Sequence, residues 1–222
     1  MKIAILGYGK MGKKINELAL IRGHNIVYKA NSSNPAQLLD LSTADVAIDF
    51  SLPTTAFKNI SHAINSGIPI ISGTTGWLNK LNEINKLCKN KNGTFLYASN
   101  FSLGVNIFFE INKKLAKLMK NKDYKYKIHE VHHTQKIDSP SGTAITLAAQ
   151  MKKILKNKNV TIFSERKNDT VGTHQIIYSS DLDEIEIKHT ANSRDSFALG
   201  AIVAAEWIID KKGVYSLKDI FL

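Results

Sequence analysis

The apolar run Ile3-Ala4-Ile5-Leu6 stops at Gly7-Tyr8-Gly9-Lys10-Met11-Gly12, and Lys10 to Ile21 then sets Met11, Ile15, Leu18 and Ala19 on one face at helical spacing. The glycines therefore stand between a strand and a helix, which leaves few folds open. The first permits a tight turn, the second lets the backbone approach a pyrophosphate, and the third allows the helix to pack closely on the strand. The N-terminus of that helix draws anions. A plain glycine turn in another α/β protein shares the local pattern, but the order strand, glycines, helix favours a dinucleotide site. Its candidates are Gly7, Tyr8, Gly9, Lys10, Met11 and Gly12.

The elements that follow extend this start. Strands are expected at Asn25 to Lys29, Val46 to Phe50, Ile68 to Ser72 and Thr94 to Ala98, with helices at Thr54 to Asn65 and near Leu78 to Lys89. That alternation implies a Rossmann-type parallel sheet covered on both faces, an α/β fold. Beyond residue 101 the pattern changes. A helix from Leu103 to Met119 leads to a strand from Lys125 to His133, a loop with Pro140 and Gly142, and a helix ending near Leu155. Val171 to Ser179 and Glu184 to Thr190 flank the acidic turn Asp181-Leu182-Asp183 as a hairpin, and Phe197 to Ile209 is a last apolar helix. The expectation is a dinucleotide-binding domain over 1–101, completed by 195–222, and a smaller α+β domain over 102–194 for substrate binding and oligomerisation. The cleft between them is the expected active site.

Composition removes several classes. The formal charge is +11, but only Arg22, Arg166 and Arg194 are arginines and the lysines are scattered, unlike the concentrated patch of a nucleic-acid binder. No apolar run is long enough for a signal peptide or a membrane span. The single cysteine, Cys88, rules out an internal disulfide and a cysteine-cluster zinc site, and points to the reducing cytoplasm. No nucleic-acid partner and no membrane are expected.

An acidic residue about twenty positions past the glycines would mark NAD preference. Here the segment reads Tyr28-Lys29-Ala30-Asn31-Ser32-Ser33, so Lys29 could instead face the extra phosphate of NADP. NADPH, or both NADPH and NADH, is the expected cofactor. Ser72-Gly73-Thr74-Thr75-Gly76 offers small residues and hydroxyls for the nicotinamide half, or is a simple turn before a helix. The second candidate site is Glu130-Val131-His132-His133-Thr134-Gln135-Lys136, followed by Asp138-Ser139-Pro140-Ser141-Gly142-Thr143-Ala144. Two histidines and a lysine form a compact set of proton donors. Ser141-Gly142-Thr143 opens a helix whose first backbone N–H groups suit a carboxylate. A metal is not expected: adjacent histidines on an extended segment point to opposite faces, and no carboxylate or cysteine stands at a recognised ligand spacing.

These residues resemble the 4-hydroxy-tetrahydrodipicolinate (dihydrodipicolinate) reductase family. The resemblance covers Gly7 to Gly12, Asp49-Phe50-Ser51 with Pro53, Gly73-Thr74-Thr75-Gly76, and Ala98-Ser99-Asn100-Phe101-Ser102 with Gly104 and Asn106. It continues through Glu130 to Ala144, its most specific stretch, and through Ser193-Arg194 with Phe197-Ala198-Gly200-Ala201. It implies that His132 is the catalytic acid/base and Lys136 a proton donor, with His133, Gly142 and Thr143 holding the carboxylates of a small dicarboxylate substrate. It also implies that Gly7 to Gly12, Gly73 to Thr75 and Ala98, Ser99, Asn100 and Phe101 line the dinucleotide. A homotetramer assembled through the second domain, and a last helix that returns to the first, are implied as well. The departures are a compact chain, shortened loops and the missing acid near Ala30. Crowding of His132, His133 and Lys136 should depress their pKa values, and incoming carboxylates should raise them. Two other readings share the nucleotide half: another two-domain dehydrogenase, and a non-enzymatic NAD(P)H sensor.

Overall fold

The computed structural model describes residues 1–38, 40–156 and 158–221. It divides into two compact units, Met1–Leu103 with Asp195–Leu222, and Gly104–Arg194; Leu222, part of the expected completion, lies outside the described residues.

The first unit is a six-stranded parallel sheet. Strands β1 (Lys2–Leu6), β2 (Asn25–Ala30), β3 (Val46–Asp49), β4 (Ile70–Ser72) and β5 (Thr94–Tyr97) are joined by a late strand, β10 (Gly213–Tyr215), in the order β10-β5-β4-β3-β1-β2. The apolar runs explain the layers. Ile3 and Ile5 of β1 face α1 (Lys10–Ile21) and α6 (Asp195–Ile208), packing with Ile15, Ala19, Ala201 and Ile202. Ala4 and Leu6 face the opposite way, with Ile60 and Ala63 of α2 (Pro53–Asn65) and Ile84 and Cys88 of α3 (Leu81–Asn90). A strand buried on both faces must be apolar wherever it is covered, as β1 is from Ile3 to Leu6. The chain turns from β2 on one side of β1 to β3 on the other, so the carboxyl ends of β1 and β3 form the switch point at which α/β sheets bind ligands.

In the second unit, α4 (Leu103–Met119) and α5 (Gly142–Ile154) accompany a mixed sheet of β6 (Lys125–His132), β7 (Val160–Arg166), β8 (Gly172–Ser179) and β9 (Glu184–Ala191), ordered β7-β6-β8-β9. β6 runs parallel to β7 and antiparallel to β8, and β8 and β9 form the expected hairpin. Tyr126 and Ile128 of β6 share a core with Leu147 and Met151 of α5 and Phe108 of α4.

Two strands escape the sequence reading. β7 is an edge strand whose apolar Val160 and Ile162 are followed by exposed Phe163, so its alternation breaks after three residues. β10 has only three residues and owes its state to pairing with β5. The helix expected from Leu78 begins as a 3-10 turn, Leu78–Lys80, before α3.

Helix α6 depends on one glycine. A Cβ on Gly200 would lie 1.8 Å from the carbonyl oxygen of Phe101, a contact that only backbone movement relieves. Gly200→Ala is expected to cost about 1–3 kcal/mol, the range for overpacking a core. Urea unfolding of the two proteins reads this, and an unchanged midpoint would mean that α6 is free to shift.

Candidate functional site

Two sets of residues carry chemistry, one in each unit. In the first, a cavity of about 810 Å³ opens at the switch point and is lined by Gly7, Tyr8, Gly9, Lys10 and Met11, by Phe50 to Pro53, and by Gly73, Thr74 and Thr75. Gly7 has φ +111°, and a Cβ there would strike the Phe50 carbonyl at 2.2 Å. Gly12 lies beneath the turn, where a Cβ would meet the Gly7 carbonyl at 2.2 Å. Gly9 caps α1 with no side chain, and a Cβ there would point into open space. An uncapped helix start beside an open glycine is what a pyrophosphate needs, so the residues fit a dinucleotide.

Beneath this cavity Asp49 is completely buried. Its carboxylate accepts hydrogen bonds from Ser51 Oγ (2.7 Å), Asn59 Nδ2 (3.1 Å), Ser72 Oγ (2.8 Å) and Thr74 Oγ1 (2.7 Å). Burial still raises its pKa above the ordinary value, against the pull of those four donors. Thr74 Oγ1 in turn accepts from the Ser51 backbone N–H at 2.8 Å. Asp49 thus ties the ends of β3 and β4 to α2 and shapes the cavity floor.

Other dinucleotide candidates lie elsewhere. Lys29 is exposed, with Nζ 5.1 Å from the centroid of the Tyr8 ring. Ala98 and Phe101 are buried in the core, Phe101 packing on Phe50 at 5.7 Å between ring centroids. Ser99 is exposed, and Asn100 Oδ1 accepts from the Ser102 N–H at 2.9 Å. None of these four, nor Lys29, is among the residues that line the cavity.

In the second unit, period-two alternation along β6 turns Tyr126, Ile128, Glu130 and His132 to the buried side. Glu130 is fully buried, and His132 is 6% exposed. Both oxygens of Glu130 accept from the Ser141 backbone N–H (3.0 and 3.2 Å), and Oε1 lies 3.5 Å from Arg166 Nη2. His132 Nδ1 and His174 Nε2 stand 3.4 and 3.6 Å from Oε2. Burial pushes the Glu130 pKa up, but hydrogen bonds from His174, Ser141 and Ser164 prevail and hold it well below the carboxylate range. The His132 pKa is lowered to about 4, first by burial, then by His174, against the raising effect of Glu130. Lys136 and Arg166 add to the lowering. The expected crowding by Lys136 is therefore a minor cause, and burial the main one.

His133 points away from this set, its Nε2 3.3 Å from Arg194 Nη2. Lys136 Nζ pairs with Asp138 Oδ1 at 2.7 Å, and the loop is braced by Arg166, whose Nη2 donates to the Asp138 carbonyl at 2.6 Å. At the start of α5, Ser141 Oγ accepts from the Ala144 N–H (3.2 Å) and contacts His174 Nε2 (3.1 Å). Those two N–H groups, of Ser141 and Ala144, are therefore committed internally. Gly142, next in the chain, is exposed, and Thr143 is half-buried.

Glu130, His132 and His174 offer donor atoms that all lie within 4.8 Å of one another. No carboxylate stands at a recognised ligand spacing in the sequence; the fold brings Glu130 together with His132 and His174. Because the Glu130 oxygens are occupied by the Ser141 N–H and the Arg166 guanidinium, the set is organised by hydrogen bonds. The alternation that parts His132 from His133 also pairs His132 with Glu130, so Glu130 was legible. His174 was not, since its place opposite Glu130 is set by the β6–β8 register.

A histidine whose folded pKa lies below its ordinary 6.5 stabilises the fold above about 6.5, and that contribution is lost as pH falls toward 4. Glu130 acts in the same direction at still lower pH. The urea midpoint should therefore fall between pH 6.5 and 4, and less steeply in His132→Asn. Equal slopes would assign the loss to another group.

Comparison with known proteins agrees with the geometry. A family model described as "Dihydrodipicolinate reductase, N-terminus" matches residues 1–101, and "Dihydrodipicolinate reductase, C-terminus" matches 104–221. A 4-hydroxy-tetrahydrodipicolinate reductase of Christiangramia forsetii is 48% identical over 232 residues, covering 99% of this chain and 97% of that one. One from Thermosipho africanus is 35% identical, with 99% and 97% covered. Among solved structures, a dipicolinate-bound dihydrodipicolinate reductase from Paenisporosarcina sp. TG-14 superposes with a TM-score of 0.80 at 20% identity, over 99% of each chain.

Proposed function

Because the chain belongs to the dihydrodipicolinate reductase family and reduces 4-hydroxy-tetrahydrodipicolinate with NAD(P)H, we propose that its first unit holds the dinucleotide and its second supplies the proton. The dinucleotide, when bound, supplies the hydride. Gly7, Tyr8, Gly9, Lys10 and Met11 hold the pyrophosphate at the start of α1, with Gly12 permitting the close turn. Gly73, Thr74 and Thr75 border the nicotinamide half, and Ala98, Ser99, Asn100 and Phe101 are assigned to the dinucleotide on the resemblance. Lys29 takes the extra phosphate of NADPH, with NADH as the second cofactor.

His132 and Lys136 are the proton donors that quench the charge left on the substrate ring. His133, Gly142 and Thr143 hold the two carboxylates. A neutral, buried His132 is a poor acid, and a bound dianion raises its pKa and charges it when a proton is needed. One observation supports this reading: within the Glu130 to Thr143 stretch the buried His132 stands 3.4 Å from the Glu130 carboxylate, which also accepts from the Ser141 N–H at the start of α5. A sensor that only bound the dinucleotide would have no use for a buried histidine so placed, and another dehydrogenase would lack the stretch.

The chain is proposed to act in the cytoplasm, where Cys88, a buried free thiol, stays reduced. Among the described residues no helix is long and apolar enough to cross a membrane. A homotetramer assembled through the second unit is proposed on the resemblance; its sheet exposes Phe163 at 52%.

The test is oxidation of NADPH and NADH by the protein with substrate generated in situ from pyruvate and aspartate semialdehyde. His132→Ala and Lys136→Ala are each expected to lower turnover by about 10²–10⁴ and leave dinucleotide affinity nearly unchanged. Lys29→Ala should raise KM for NADPH alone. Turnover unaffected by His132→Ala would remove the assignment of the acid, and tight dinucleotide binding without turnover would favour a sensor.

A further inference from the structure

We propose that Glu130 is the positioning residue for His132, holding the ring with Nδ1 toward its buried carboxylate and Nε2 presented at the edge left clear by Gly172. This rests on the reading of His132 as the acid and adds what orients it.

The carboxylate is a fixed point. Glu130 has no exposure, and it is held from α5 by the Ser141 N–H and from β7 by Arg166. His132 follows two residues later on the same face of β6, with Nδ1 3.4 Å from Glu130 Oε2. Nδ1 is itself buried and has no aligned hydrogen bond. A neutral imidazole carries one proton, and the nearby anion favours it on Nδ1. Nε2 is then the site that takes up and gives a second proton.

The opposite edge supports this orientation. A Cβ on Gly172 would sit 3.1 Å from His132 Nε2 and 3.2 Å from Cδ2. The φ of Gly172 is not positive, so its backbone does not demand glycine. The absent side chain instead keeps Nε2 uncovered. The charged and titratable groups around the ring are Glu130 on β6, Lys136 in the following loop, Arg166 on β7 and His174 on β8. His174 stands edge-on at 5.0 Å between ring centroids. Of these four, only Glu130 favours the imidazolium.

Nitrogen-15 NMR of the histidine rings and pH profiles of kcat and KM test the assignment on the full chain. Wild-type His132, identified by the resonance lost in His132→Asn, is expected as the Nδ1–H form. Glu130→Gln is expected to mix the tautomers, to lower kcat by roughly 10- to 10³-fold, short of the ~10⁴-fold that loss of the carboxylate behind the histidine costs a Ser-His-Asp triad, and to move the falling limb of the profile to lower pH. Gly172→Ala keeps the carboxylate and covers Nε2, so kcat should fall with the tautomer unchanged. A wild-type proton on Nε2 would overturn the proposal even if Glu130→Gln fails to fold. So would a Glu130→Gln protein with unchanged tautomer and profile. Full turnover in His132→Ala would instead fault the assignment of the acid, which the tautomer measurement does not depend on.

Discussion

A single buried carboxylate organises the second unit. Glu130 has no contact with water, and an uncompensated charge there would be prohibitive, so the chain surrounds it with donors from every neighbouring element. The Ser141 N–H comes from the start of α5, the Arg166 guanidinium from the end of β7, and the His174 ring from β8. Each donor is also engaged elsewhere: Ser141 caps α5, and Arg166 braces the 136–138 loop. The carboxylate that stays ionised therefore sets where the helix begins, how the lysine loop runs and what His132 faces.

The first unit solves a similar problem with neutral donors. Asp49 ends β3 at the switch point and is satisfied by Ser51, Asn59, Ser72 and Thr74. The hydroxyl and amide groups close the network without adding charge, and burial leaves the carboxyl pKa raised. Around it the glycines pack backbone on backbone, Gly7 on Phe50 and Gly12 on Gly7. A cavity floor built from such contacts is rigid, and a preformed site for a flexible cofactor loses less ordering entropy on binding.

Much of this was legible in the residues. Continuous apolar runs marked the parallel strands because both faces of that sheet are covered, and the helical spacing of α1, α2 and α6 marked what covers them. The hairpin showed through its acidic turn. Local pattern failed where a segment is ordered by its neighbours: β10 is a strand because β5 pairs with it, and β7 because β6 does. At the site, Glu130 was available from alternation. Asp49 was visible only as part of a motif, because its role depends on Asn59 and Thr74, which lie on separate elements.

By itself the sequence determined the glycine turn, the order of the strands and helices other than β7 and β10, the family, and the stretch from Glu130 to Thr143 that holds the proposed proton donors. These are local properties, fixed by φ/ψ freedom, hydrophobic period and residue chemistry within a few positions. The tertiary structure alone decided that His174 and Arg166 converge on Glu130, that Gly172 clears one edge of His132, and that burial more than crowding lowers its pKa. Those depend on strand register and on water exclusion, which arise only when residues distant in the chain are brought into one core.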